Sequence, residues 1–246
     1  MVSSSEHPPR LALVLGGARA GKSTFAERLI AARAADAPVV YLATSEANDH
    51  EMAARVAAHR QARTGAWTTV ECPLEVAVAV RSAAAATSSG PPAFLLDCVT
   101  FWVSNLLFAA GDLGGTVPEG LGNFDKAFIP RAVEEAVAAR VGAAVDDLLA
   151  ALHETGSTMV AVSNEVGLGV VPEYPIGRLY RDELGRANRR LADVAGEVYL
   201  LVAGIPLELK ALAADPFTFA SPQEGAPAAP RTPLLPATPE EEEHDS

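Results

Sequence analysis

Gly16-Gly-Ala-Arg-Ala-Gly-Lys-Ser23 fits the pattern G-x-x-x-x-G-K-[ST], the loop that cradles phosphates between a strand and a helix. Its flanks suit that reading. Leu11-Ala-Leu-Val-Leu15 ahead of it is a short apolar run, as a buried strand requires, and Thr24 to Arg33 behind it places Phe25, Leu29 and Ala32 on one side of a helix. Gly16, Gly17 and Gly21 let the backbone wrap closely, so that the amides of Ala18, Arg19 and Ala20 can face phosphate oxygens. The helix N-terminus adds partial positive charge. In this arrangement Lys22 reaches the β- and γ-phosphates of a nucleotide, and the Ser23 hydroxyl binds Mg²⁺.

The chain has 246 residues, 49% of them hydrophobic, enough for one substantial α/β domain. No apolar run approaches the roughly 20 residues of a membrane span. Residues 1–10 lack the charged start and apolar stretch of a secretory signal. Cys72 and Cys98, the two cysteines, have no ligand-like spacing, so a reducing cytoplasm is expected. The net charge of −12 opposes a general nucleic-acid binder, which needs a basic footprint. Half of that charge lies in residues 213–246, where seven acids accompany the single base Arg231.

Residues 1–10 read as a flexible lead and 11–212 as the folded body. From 213 on, Pro, Ala, Glu and Thr dominate; this composition predicts a disordered acidic tail, because it buries too little apolar surface to offset the cost of ordering. Within the body, strands are expected at Leu11–Leu15, Val39–Ala43, Ala93–Asp97, Thr158–Ser163 and Glu197–Val202. Helices are expected over 22–34, 50–63, 73–86, 100–110, 130–154 and 181–195, with a Gly-rich loop over 111–129. Continuous apolar strands with helices between them predict a mostly parallel sheet covered on both faces, a single-domain α/β fold like that of the P-loop NTPases.

Four further stretches carry chemistry. The strand ending at Asp97 puts a carboxylate at the sheet edge that faces the phosphate loop, where it can hold Mg²⁺ or cap the next helix. Thr44, Ser45 and Glu46 follow a second strand and can bond a nucleotide or cap a helix. Glu51, Arg55, His59 and Arg63 recur every four residues and share a helix face. Arginines around a neutral imidazole suit a nucleophile toward phosphorus, but spacing alone favours a solvated, ion-paired face. Ser163, Asn164 and Glu165 leave a buried strand for a Gly-containing loop, and Arg178, Arg181, Asp182, Arg186 and Asn188 follow on a helix.

Taken together these blocks resemble the bifunctional adenosylcobinamide kinase / adenosylcobinamide-phosphate guanylyltransferase family of cobalamin biosynthesis. The resemblance rests on Gly16 to Ser23; on Tyr41-Leu-Ala-Thr-Ser45 with Glu51-Met-Ala-Ala-Arg55 and His59; on Leu96-Asp-Cys-Val-Thr-Phe-Trp-Val-Ser-Asn-Leu-Leu107; and on Val162 to Glu173. Arg181 to Asn188 and Val202 to Leu207 extend it, so that it spans about residues 11–210. Ala20 stands where the family usually has Ser, a change the backbone cradle tolerates.

The resemblance implies that His59 is the guanylylated residue, which reverses the reading from spacing alone. It implies nucleotide contacts from the loop, from Thr44, Ser45 and Glu46, from Arg60, Gln61, Ala62 and Arg63, and from Glu71 and Asp97, with Mg²⁺ on Ser23 and Asp97. The implied reactions are phosphorylation of adenosylcobinamide by ATP or GTP, then transfer of GMP from GTP through a guanylyl-histidine. A homo-oligomer, commonly a trimer, is also implied. Two alternatives compete: a small-molecule kinase without guanylyl transfer, and a nucleotide-binding regulatory switch. The second lacks support, because the chain has no Asn-Lys-x-Asp base-reading motif.

Overall fold

A computed structural model describes residues 10–45, 67–88, 90–109 and 129–213. The strands are β1 (Leu11–Gly16), β2 (Val39–Ala43), β3 (Thr68–Glu71), β4 (Ala93–Asp97), β5 (Thr158–Val162), β6 (Glu197–Val202) and β7 (Ile205–Glu208). The helices are α1 (Lys22–Ala34), α2 (Val76–Ala85), α3 (Val99–Ala109), α4 (Arg131–Thr155), α5 (Pro175–Val194) and the single turn α6 (Leu209–Leu212). The seven strands form one sheet in the order β3-β2-β4-β5-β1-β6-β7. Every pairing is parallel except β6 with β7.

The runs that read as buried strands are buried. Every residue of β1 and β2 is, and the centre of β4 is fully enclosed. Alternation divides these side chains between two layers. Ala12, Val14, Tyr41, Leu95 and Val162 pack against α1 through Ala26 and Ile30. Leu13, Leu42, Phe94, Leu96 and Ala161 pack on the opposite face against α2, α3, α4 and α5, with Trp102 and Leu148 in that layer. Each fully buried Leu, Ile, Phe or Met contributes about 1.5–3 kcal/mol. The expected parallel sheet with helices on both faces is therefore the observed architecture.

The differences lie at the edges. The sequence reading omits β3, because Thr68-Thr-Val-Glu71 is short, half-exposed and strand-like only through its pairing with β2. It omits β7 and α6 for a similar reason. β7 is an exposed edge strand containing Pro206, joined to β6 by Ala203 and Gly204, both at positive φ. The helix expected over 181–195 begins at Pro175, a favourable first position that was there to be read. The expected helix 50–63 lies outside the described residues, as does the 111–129 loop apart from buried Ile129.

Candidate functional site

Strand order reverses about β1, which has β5 on one side and β6 on the other. Ligands of open parallel sheets gather in the crevice at such a point, beyond the strands' carboxyl ends. The Gly16–Ser23 loop leaves β1 there. Gly16 has φ 152°, and a Cβ on it would lie 2.7 Å from the Leu201 carbonyl oxygen of β6. Only glycine allows β1 to run so close to its neighbour at this residue. Gly21 then takes a left-handed conformation and caps α1 with no side-chain hydrogen bond, and the first turn holds no acid. The leading amides of α1 thus lack an answering side chain, which suits an anion.

The Lys22 ammonium donates to the Gly17 carbonyl at 2.7 Å, bridging the loop from its last turn to its first. Burial pushes Lys22 below its ordinary pKa, and the neighbouring Cys98 thiol and Asp97 carboxylate oppose that shift. Lys22 therefore lies within electrostatic reach of the end of β4. Asp97 is in register with Ala43 of β2 and Val162 of β5, and Ala43 is in register with Glu71 of β3. Glu71 and Asp97 so share one row across the carboxyl edge of the sheet.

Two side chains of β2 and the turn after it hold Asp97 and its successor. The Tyr41 hydroxyl donates to Asp97 Oδ2 at 3.0 Å. Thr44 Oγ1 donates to the Cys98 carbonyl at 2.6 Å and accepts from the Cys98 amide at 2.9 Å. The Thr44 amide donates to the Asp97 carbonyl at 3.3 Å. Asn105 of α3 donates to the Thr44 carbonyl at 2.8 Å and to the Pro73 carbonyl at 3.0 Å, tying the ends of β2 and β3 together. Thr44 is fully buried and its hydroxyl is committed to both backbone groups of Cys98. Ser45, partly exposed, follows it.

The loop after β5 closes the far side. The Ser163 amide donates to Val14 at 2.9 Å and the Glu165 amide to Gly16 at 3.2 Å, so this loop abuts the phosphate loop through backbone. The Asn164 amide donates to Thr100 Oγ1 at 2.8 Å, and Asn188 Nδ2 donates to the Asn164 carbonyl at 3.0 Å. Of the polar residues expected here, Asn188 is a buried fastener of the loop. Arg178 bonds the Pro172 and Glu173 carbonyls, Arg181 pairs with Asp182, and Arg186 pairs with Glu183.

The structure brings together Gly16 to Ser23, Ser45, Glu71 and Asp97 at one edge, while Glu46, His59, Arg60, Gln61, Ala62 and Arg63 lie outside the described residues. Sequence reasoning missed Tyr41 and Asn105 as site-forming residues. Tyr41 sits two residues before Ala43, hence on the same side of β2, and this alternation was a usable signal. The donor set fits Mg²⁺: Ser23 and Asp97 offer hard oxygens, and among the described residues no three His, Cys, Asp or Glu side chains gather into an all-protein cage. Mg²⁺ takes one or two protein oxygens together with phosphates and water. Among the described residues no helix is long and apolar enough to cross a membrane.

The bifunctional adenosylcobalamin biosynthesis protein CobU of Salmonella typhimurium is 42% identical over 199 residues, 80% of this chain and 98% of that protein. CobU of Escherichia coli is 40% identical over 198 residues, again 80% of this chain and 98% of that protein. The bifunctional protein CobP of Pseudomonas aeruginosa is 38% identical over 198 residues, 80% of this chain and 96% of that protein. Residues 12–209, the stretch that runs from β1 to the end of β7 and the first residue of α6 and carries every element of the site, match one family throughout, and the chain belongs to it: cobinamide kinase / cobinamide phosphate guanyltransferase.

Proposed function

We propose that this protein phosphorylates the aminopropanol hydroxyl of adenosylcobinamide with ATP or GTP, then converts the product to adenosylcobinamide-GDP. The observation that carries this reading is the edge where Lys22, the uncapped amides of α1 and the Asp97 carboxylate meet. In the kinase step the substrate hydroxyl oxygen attacks the γ-phosphorus and the nucleoside diphosphate leaves. Lys22 and Arg19 neutralise charge on the phosphates, and the loop amides fix their orientation. Bound Mg²⁺ would supply further charge neutralisation, held by Ser23 and Asp97.

In the second step a neutral ring nitrogen of His59 attacks the α-phosphorus of GTP, and pyrophosphate leaves. A phosphate oxygen of adenosylcobinamide phosphate then attacks the guanylyl phosphorus, and the His59 nitrogen departs. The covalent intermediate divides one transfer between two bulky substrates into two simpler displacements. Thr44, Ser45, Glu46, Arg60, Gln61, Ala62, Arg63 and Glu71 are assigned to hold the nucleotide. The catalytic body is assigned to residues 11–212, the working form to a homotrimer and the compartment to the cytoplasm.

Incubation with α-labelled GTP tests the reading. The wild-type chain should carry label that is labile in acid and stable in base, the signature of a phosphoramidate. His59→Ala should lose that label and the guanylyl transfer while keeping most of the kinase step. Persistent acid-labile label on His59→Ala would remove His59 as the nucleophile and direct attention to His50. Wild-type protein that phosphorylates cobinamide yet never labels would favour a kinase without guanylyl transfer.

A further inference from the structure

Tyr41 has no part in the transfer steps, yet its hydroxyl is spent inside the site. The ring belongs to the apolar layer beneath α1, and Tyr41 is only 7% exposed. Its hydroxyl donates to Asp97 Oδ2 at 3.0 Å, and among the described residues it is the hydrogen-bond donor found on that carboxylate. The backbone geometry makes the contact reproducible. Asp97 is in register with Ala43 and Leu95 with Tyr41, so the tyrosine and the aspartate lie diagonally on the same face of two adjacent strands. Thr44 holds the backbone just beyond, through both Cys98 groups. The carboxylate is therefore fixed from two directions, the side chain by Tyr41 of β2 and the main chain by Thr44 of the turn after it.

We propose that Tyr41 is a positioning residue for the metal-binding carboxylate, holding Asp97 in the orientation that accepts the nucleotide-bound divalent cation. The proposal rests on the assignment of Asp97 to Mg²⁺ made above. An aspartate free to rotate would have to be ordered each time the nucleotide-bound cation arrives. A fixed phenol donor removes that freedom before the ligand arrives, and such support for a ligating carboxylate raises metal affinity. The hydroxyl takes lone-pair capacity on Oδ2 alone, so the carboxylate can still offer one oxygen to a cation. That is the denticity Mg²⁺ prefers.

The test is a Mn²⁺ titration, followed by electron paramagnetic resonance, of the full chain saturated with a non-hydrolysable β,γ-imido GTP analogue. Kinase assays across a Mg²⁺ series accompany it. Tyr41→Phe should fold, because the ring stays in its apolar layer and Asp97 is exposed enough to take a water in place of the phenol. Its Mn²⁺ affinity should fall about tenfold and its apparent KM for Mg²⁺ should rise by a similar factor, with kcat at saturating Mg²⁺ within about twofold of wild type. Asp97→Ala should weaken Mn²⁺ further, and Tyr41→Phe added to it should change nothing more, because the phenol then has no side-chain oxygen to hold. A Tyr41→Phe chain with wild-type metal affinity beside a weakened Asp97→Ala chain would overturn the positioning role and spare the metal assignment. Equal losses from Tyr41→Phe in both backgrounds would likewise overturn it, since they would mark a general structural defect. Wild-type Mn²⁺ affinity in Asp97→Ala would overturn the metal assignment and the positioning role together.

Discussion

Gly16 and Gly17 are neighbours in one motif, yet alanine should be costly at the first and nearly neutral at the second. A Cβ on Gly16 would meet the Leu201 carbonyl oxygen at 2.7 Å, a backbone atom inside the paired β1 and β6 strands that cannot turn aside. Relieving such overpacking costs about 1–3 kcal/mol. The φ of 152° adds roughly 1–3 kcal/mol for any residue with a side chain. The sum, about 2–6 kcal/mol, is a large part of the 5–15 kcal/mol typical of a domain. At about 2–4 °C per kcal/mol for a body of this size, Gly16→Ala should lower the melting temperature by about 10 °C. A Cβ on Gly17 meets nothing within 4 Å. Gly17→Ala should therefore shift the midpoint by less than about 2 °C, within the usual range for open surface positions. Thermal unfolding followed by circular dichroism, without nucleotide, separates the two. Midpoints within 2 °C of each other would refute the claim that the approach of β1 to β6 fixes Gly16.

Lys22→Ala should abolish nucleotide turnover while leaving the far-ultraviolet circular dichroism unchanged, because its hydrogen bond is to an exposed loop carbonyl; lost secondary structure would contradict this. Thr44→Val keeps the shape of the side chain but strands the buried Cys98 amide, so it should destabilise by about 1–3 kcal/mol in urea unfolding, with Thr44→Ser close to wild type. Burial raises the Glu183 pKa, with Arg186 opposing and Asp182 reinforcing the shift. The native state then holds this proton more tightly than the unfolded chain, so the contribution of Glu183 to stability falls as pH rises from the ordinary carboxylate value through the raised one. Glu183→Gln should remove that slope, read as a wild-type-minus-variant difference in urea midpoints between pH 4 and 7.

The order of buried strands and helices was legible because it depends on local chemistry. Leu11–Leu15, Val39–Ala43 and Ala93–Asp97 are apolar enough to be strands in almost any surroundings, and the phosphate loop carries its glycines in fixed spacing. The chemical cast, with Lys22 and Ser23 at the start of α1 and Asp97 at the end of β4, followed from the same local signals. Tertiary structure alone decided what each polar side chain is for. Thr44 reads in one dimension as a polar residue just past a strand, and only the pairing of β2 with β4 buries it against Cys98, where its hydroxyl braces the backbone. Tyr41 reads as one more apolar strand residue, and only the register of two strands carries its hydroxyl to Asp97, 56 positions away. β3 and β7 are strands because a partner offers them hydrogen bonds, not because their four residues insist on it. Local sequence sets which conformations are cheap; pairing between distant segments sets which groups meet, and a single chain read in order holds no record of that second choice.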